Sequence, residues 1–332
     1  MLEAILTAKL GDDQYGEDEA VNRLQEMAAQ KMGKEAALLV VSGTQGNLVS
    51  VMSHTRPGDA VIVEAESHMV YYEAAGMSAI AGVMPKPLKG HNGALIPEDV
   101  VNAIQVEHRP HQPPTTLICL ENTHNRAGGT CVTEGQTKAI CEIAEDHDIS
   151  VHIDGARIFN AAVALNVDVR RLTKGADSVT FCLSKGLSGP VGSLITGTKE
   201  FIAKARKNRQ MVGGAMRQAA VIAAPGIVAL ETMIDRLKED HDNAKRLAQG
   251  LVNLGIYVPL ESVQTNIVIF DTGQLGLDSS QLISRLEELG VKASNYGRTT
   301  VRMVTHRGIE SADIDYTLDA VARLLRDLRK PR

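Results

Sequence analysis

From about residue 20 to residue 200 the chain alternates short, uninterrupted apolar runs with longer segments whose apolar residues recur every three or four positions. This alternation constrains the fold most. A run that is apolar at every position has no polar face to show to water, so it belongs in a sheet covered on both sides. Such sheets are mostly parallel strands joined by crossover helices. Five runs read as strands: Ala37–Val41, Ala60–Val63, Thr116–Leu120, Ser150–Ile153 and Ser178–Leu183. Between them Asn47–Ser53, Pro97–Gln105 and Glu134–Asp146 carry an apolar face opposite a polar one and read as helices. The order then changes. A long helical stretch over 222–251 leads into strands Asn266–Phe270 and Thr299–Thr305, with helices near Ser280–Leu289 and Ser311–Leu328. The expectation is an α/β protein: a large domain, 1–234, built on a mostly parallel sheet flanked by helices, and a small C-terminal α+β domain, 235–332.

With 332 residues, 44% of them apolar and none of them Trp, the core must be large and built mainly from aliphatic side chains. The net charge of −5 comes without a long block of one sign, which argues against nucleic acid or an anionic membrane and for small-molecule partners. No stretch approaches the roughly eighteen apolar residues of a membrane span, and the N-terminus lacks a basic-then-apolar leader, so the cytoplasm is the expected compartment. Cys119, Cys131, Cys141 and Cys182 form no CxxC pair, and Cys119 and Cys182 lie within apolar runs, where they read as core residues. His108, His111 and His147 lack metal-ligand spacing, and no metal site is expected.

The pair that carries chemistry is Asp154 in VHIDGARIF and Lys185 in FCLSKGL, each at or just past the end of an apolar run. One helix and one strand fit between them. Ligands of an open parallel sheet bind beyond the carboxyl ends of its strands, so both residues face one crevice. Pyridoxal phosphate needs such a pair: an amine to bind its carbonyl, and a carboxylate that keeps the pyridine nitrogen protonated. Taken singly, Asp154 reads as a cap and Lys185 as a surface lysine. Together, with the Ser184 hydroxyl alongside, they read as a cofactor site.

The turn SGTQGN precedes a helix expected to begin near Asn47, and the backbone N–H groups of Gly43 and Thr44 suit a phosphate there. His68 in EAESHMVYYE and His124 in ENTHNRAGG each follow an apolar run closely. His68 is placed to stack on a ring, and His124 to bind or protonate a substrate oxygen, although either alone would read as a solvated histidine. Arg157, three residues past Asp154, and Arg302, which interrupts an apolar strand, are candidates to grip a substrate carboxylate, with edge exposure the alternative for Arg302.

In order and spacing, GDDQYGED, SGTQGN, EAESH, ENTHNRAGG, VHIDGARIFNA, FCLSKGLSGPVGS, GGAMRQA and VRMVTH resemble the motifs of the low-specificity L-threonine aldolases, of the fold-type I, aspartate-aminotransferase-like superfamily. The resemblance runs through nearly the whole chain. It implies that Lys185 carries pyridoxal 5'-phosphate as a Schiff base and that Asp154 pairs with the pyridine nitrogen. Gly43, Thr44 and Ser184 would hold the phosphate, and His68 would stack on the ring. It implies further that Arg157 and Arg302 bind the substrate carboxylate and that His124 lies near the β-hydroxyl. Arg217 would reach a neighbouring subunit's phosphate and Tyr15 would border a neighbour's site, as in a tetramer with shared sites.

The implied reaction cleaves L-threonine or L-allo-threonine to glycine and acetaldehyde. β-Elimination or racemisation on the same fold is the alternative. Relatives also carry an earlier Arg-Ser-Asp-Thr-type segment whose hydroxyl contacts substrate, whereas this chain opens at LEAILTAKL. Either the natural start lies elsewhere or the substrate contact is lacking, and the second case leaves a non-catalytic, cofactor-binding protein as a further alternative.

Overall fold

The computed structural model describes residues 1–105 and 111–328, so His108 lies outside the described residues. The chain divides into two compact units, Met1–Arg126 with Cys131–Asp235, and Ala127–Thr130 with Arg236–Arg332.

The first unit is built on seven strands: β1 (Ala36–Val40), β2 (Ala60–Glu64), β3 (Met84–Leu88), β4 (Thr115–Glu121), β5 (Ser150–Asp154), β6 (Ser178–Cys182) and β7 (Ser193–Gly197). Their order is β1-β7-β6-β5-β4-β2-β3. Strand β7 runs antiparallel to both its neighbours, while the pairs from β6 across to β3 are parallel. All five expected strands are present, with ends shifted by a residue or so. Two more join them. The sequence of β3, MPKPL, contains two prolines and reads as no strand, but it sits at the sheet edge, where a missing N–H is tolerated. Strand β7, SLITG, mixes Ser, Thr and Gly with two apolar residues, yet is buried at every position.

Two helices differ from expectation. The helix after β1 begins at Gly43 rather than near Asn47, because the Ser42 side chain caps it by accepting a hydrogen bond from Gln45 N–H at 3.1 Å. Its first turn is too polar and glycine-rich to show a period. Gly46 there permits close approach to β6: a Cβ would stand 2.6 Å from Thr180 Cγ2. The stretch 222–251 is two helices, Ala220–Thr232 and Leu237–Asn253. No Gly or Pro marks the break between them, so periodicity alone runs across it.

In the second unit β8 (Ile267–Asp271), β9 (Ser294–Asn295) and β10 (Thr300–Val304) form an antiparallel sheet in the order β8-β10-β9. Val268, Phe270, Val301 and Met303 share its core with Leu247, Leu282 and Val321 from the helices. Burial alternates along β10, with Val301 and Met303 buried and Arg302 between them on the half-buried face. No described helix is long and apolar enough to cross a membrane.

Candidate active site

Three strands of the large sheet end in a carboxylate: β2 at Glu64, β4 at Glu121 and β5 at Asp154. Glu121 and Asp154 lie side by side in the register of β4 and β5. All three are buried, at 6%, 4% and 3% exposure, so each needs a partner. Asp154 has two. Its Oδ2 accepts from Asn47 Nδ2 at 2.8 Å, and its Oδ1 from the Ala156 N–H at 3.1 Å.

His68 and Glu73 lie beside Asp154. His68 Nδ1 is 2.9 Å from Glu73 Oε1, and the same Glu73 oxygen accepts from Asn47 Nδ2 at 2.8 Å. Ligand atoms of His68, Glu73 and Asp154 fall within 4.8 Å of one another. Burial lowers the His68 pKa, but the Glu73 hydrogen bond and the Asp154 charge outweigh it, so the net shift is upward. Burial and the nearby Asp154 push the Glu73 carboxyl up as well, against the hydrogen bond from His68.

His124 is 1% exposed. Its Nε2 stands 2.9 Å from Glu64 Oε2 and 3.7 Å from Glu121 Oε2. Burial would lower its pKa, but the Glu64 hydrogen bond and the Glu121 charge raise it. The two glutamates move apart. Glu64 is held below the usual range, because the hydrogen bond from His124 and the Gly90 and Glu66 N–H groups overcome its burial. Complete burial pushes Glu121 up. Glu121 also ties the two histidine segments together, accepting from His68 N–H at 2.6 Å and Asn125 N–H at 2.8 Å. Gly93, at φ +83°, leaves no room for a side chain over the His124 ring, since a Cβ would stand 2.3 Å from its Cγ.

Lys185 lies three residues beyond β6 and is half-buried. The turn holding it is tied by Ser188 N–H to the Lys185 carbonyl at 2.9 Å and Gly189 N–H to the Leu183 carbonyl at 2.8 Å. Its charge reaches His68, where it opposes protonation. Ser184 is exposed beside it. Gly43 and Thr44 are the first residues of the helix Gly43–His54, and a Cβ at Gly43 would lie 2.9 Å from Cys182 Sγ, so the helix start abuts the end of β6. Arg157, three residues past Asp154, occupies the position just before the helix Ile158–Leu165 without a side-chain cap bond.

Arg217 pairs with Asp12 at 3.0 Å and lies 5.6 Å from the ring centre of Tyr15, which is 70% exposed. Arg302, in the second unit, lies 5.6 Å from the ring centre of Tyr296. Cys119 and Cys182 are buried thiols.

Sequence reasoning passed over Asn47, Glu64, Glu73, Glu121 and His152. A signal existed for three of them. Glu64 and Glu121 end apolar runs as Asp154 does, and His152 precedes Asp154 by two residues, which places it on the same face of the strand. Nothing local distinguishes Asn47 or Glu73 from ordinary helix and loop residues.

Fold and site define the class first: an α/β protein whose large sheet gathers an amine, buried carboxylates and imidazoles at the carboxyl ends of its strands. A family model described as beta-eliminating lyase matches residues 1–273. The chain is 42% identical to Low-specificity L-threonine aldolase 1 of Arabidopsis thaliana over 336 residues, covering 100% of this chain and 94% of that protein. It is 39% identical to the Low specificity L-threonine aldolase of Escherichia coli (strain K12) over 306 residues, covering 92% and 89%. The fold resembles that of Leishmania major threonine aldolase with a TM-score of 0.81 at 20% identity, over 98% of this chain and 94% of that one. The chain belongs to the beta-eliminating lyase family, among its low-specificity L-threonine aldolases.

Proposed function

We propose that this protein cleaves the Cα–Cβ bond of L-threonine and L-allo-threonine, releasing glycine and acetaldehyde, with pyridoxal phosphate held on Lys185. The carrying observation is that the strand-end pair of Asp154 and Lys185 occurs in a chain 42% identical to a threonine aldolase over its full length.

The residues present fit the cofactor. Asp154 is fixed by two N–H donors, so that it could face a ring nitrogen, and His68 stands beside it. The N–H groups of Gly43 and Thr44 at the start of the helix Gly43–His54, packed against the end of β6, suit a phosphate, with Ser184 as a further donor. When bound, the cofactor supplies an electron sink conjugated to the substrate's Cα.

The chain's own residues do the rest. Lys185 would hold the cofactor through its amine. Arg157 grips the substrate carboxylate; the same role for Arg302 rests on the family resemblance alone. His124 takes the β-hydroxyl proton as the bond breaks, and Glu64 behind it stabilises the ring as it becomes charged. Arg217 and Tyr15, exposed on the surface, complete a neighbour's site in a tetramer, and a cytoplasmic location belongs to the same reading.

Acetaldehyde release from L-threonine, L-allo-threonine and D-threonine, measured separately with added pyridoxal phosphate, tests this function. Release from the L-isomers alone is expected, and Lys185→Ala should abolish it. Full activity in that variant, or elimination or racemisation products instead of acetaldehyde, would overturn the assignment.

A further inference from the structure

Asn47 has two amide hydrogens and spends both on carboxylates, one on Asp154 Oδ2 and one on Glu73 Oε1, each at 2.8 Å. Its own oxygen lies 3.2 Å from His152 Nε2. His152 Nδ1 in turn lies 2.8 Å from Ser178 Oγ, which lies 2.7 Å from His54 Nε2. Asn47 is 1% exposed, and His152 and Ser178 are 0% exposed, so water does not complete these bonds.

An amide oxygen only accepts. His152 Nε2 must therefore carry its proton. A neutral imidazole so protonated has a bare Nδ1, so the Ser178 hydroxyl donates to it, and the Ser178 oxygen accepts from His54 Nε2–H. Every bond in the row then points the same way, toward Asp154. The opposite sense would turn the Asn47 oxygen onto the Asp154 carboxylate, acceptor against acceptor. Burial also keeps both rings neutral, lowering His152 to about 3 and His54 to about 4. His54 is itself held in place by stacking on Phe201, with ring centres 4.4 Å apart.

We propose that His152 is a positioning residue: its Nε2–H tautomer, set by Ser178 and His54, locks the Asn47 amide so that Asp154 always receives a donor and is held in place for the ring nitrogen. The inference rests on the role given to Asp154 above.

Solution NMR of the full chain, with its histidine rings labelled with nitrogen-15, reads the tautomer without cofactor or turnover. Protonated Nε2 and bare Nδ1 are expected at both His152 and His54 near neutral pH. A companion pair, His152→Leu and His152→Gln, separates positioning from packing, because glutamine keeps a donor for Asn47 and leucine does not. The Leu variant is expected to bind pyridoxal phosphate about tenfold more weakly and to lose about tenfold in kcat with KM little changed, and Gln to recover most of both. A proton on His152 Nδ1, or a folded Leu variant with wild-type cofactor affinity and absorbance, would overturn the proposal. If the Leu variant fails to fold, the tautomer decides. A wild-type chain that takes up no pyridoxal phosphate would instead overturn the reading of the site.

Discussion

His124 and His152 are both buried, at 1% and 0% exposure, yet their pKa values move in opposite directions. His124 meets Glu64 and Glu121 and rises; His152 meets an amide and a hydroxyl and falls to about 3. The contrast recurs where burial is less complete. His68, on Glu73, rises, while His54, on Ser178, falls to about 4. Burial pushes all four the same way, so the charge of the nearest partner decides the outcome. Two rings beside carboxylates are thus raised and two beside uncharged partners are lowered.

The largest test removes the carboxylate that lies beside His68 and that the row from His152 reaches through Asn47. Asp154→Ala is expected to lower kcat/KM by about a hundredfold to a thousandfold, and to let the His68 pKa fall in an NMR titration, since Asp154 is one of the charges that raise it. An unmoved His68 would break the link between partner charge and ring charge.

Next in size is Glu64→Gln, which keeps a hydrogen-bonding group on His124 but removes its charge. Activity should fall about tenfold to a hundredfold, and the pH–rate profile should shift as the His124 pKa drops. A profile that stays in place would show that Glu64 only fills space.

A smaller effect appears in stability against pH, where the two pairs act on opposite sides of 6.5. His68 and His124 have folded pKa values above 6.5, so their contribution is complete below 6.5 and is lost as pH rises through the folded values. His54 and His152 favour the neutral form, so theirs is complete above 6.5 and is lost as pH falls toward about 4 and about 3. His241 in the second unit, lowered to about 4, adds to the acid side. These histidines should therefore place the urea midpoint's maximum near 6.5, with Glu73 and Glu121, whose raised pKa values favour their protonated forms, drawing it toward acid, and a steady climb from acid to alkali would contradict the alkaline branch. Smallest of all is His147→Ala. That ring ends the helix Glu134–Asp146 away from these groups, and its loss should change activity less than about twofold.

How much of this was legible varies by element. Runs such as Ala60–Val63 are apolar at every position, and only a sheet covered on both faces accepts them, so five strands could be read directly. MPKPL could not, because its prolines forbid a central strand and nothing local says that this one lies at an edge. SLITG was hidden because a strand returning antiparallel next to β6 needs no crossover helix to announce it. The break between Thr232 and Leu237 was invisible for the reverse reason: the helical period continues in the residues while the backbone departs from it.

The site divides along the same line. The sequence by itself determined that Asp154 and Lys185 sit at the ends of neighbouring parallel strands, since one crossover is all that fits between them, and it carried the family motifs that imply a cofactor and a reaction. Only the tertiary structure decided who meets whom. Asn47 reaches Asp154 across 107 positions and His124 reaches Glu64 across 60, distances set by strand order. The same packing decided which histidines face a carboxylate and which a hydroxyl. Charge on a ring depends on its neighbours in space, and sequence lists only its neighbours along the chain.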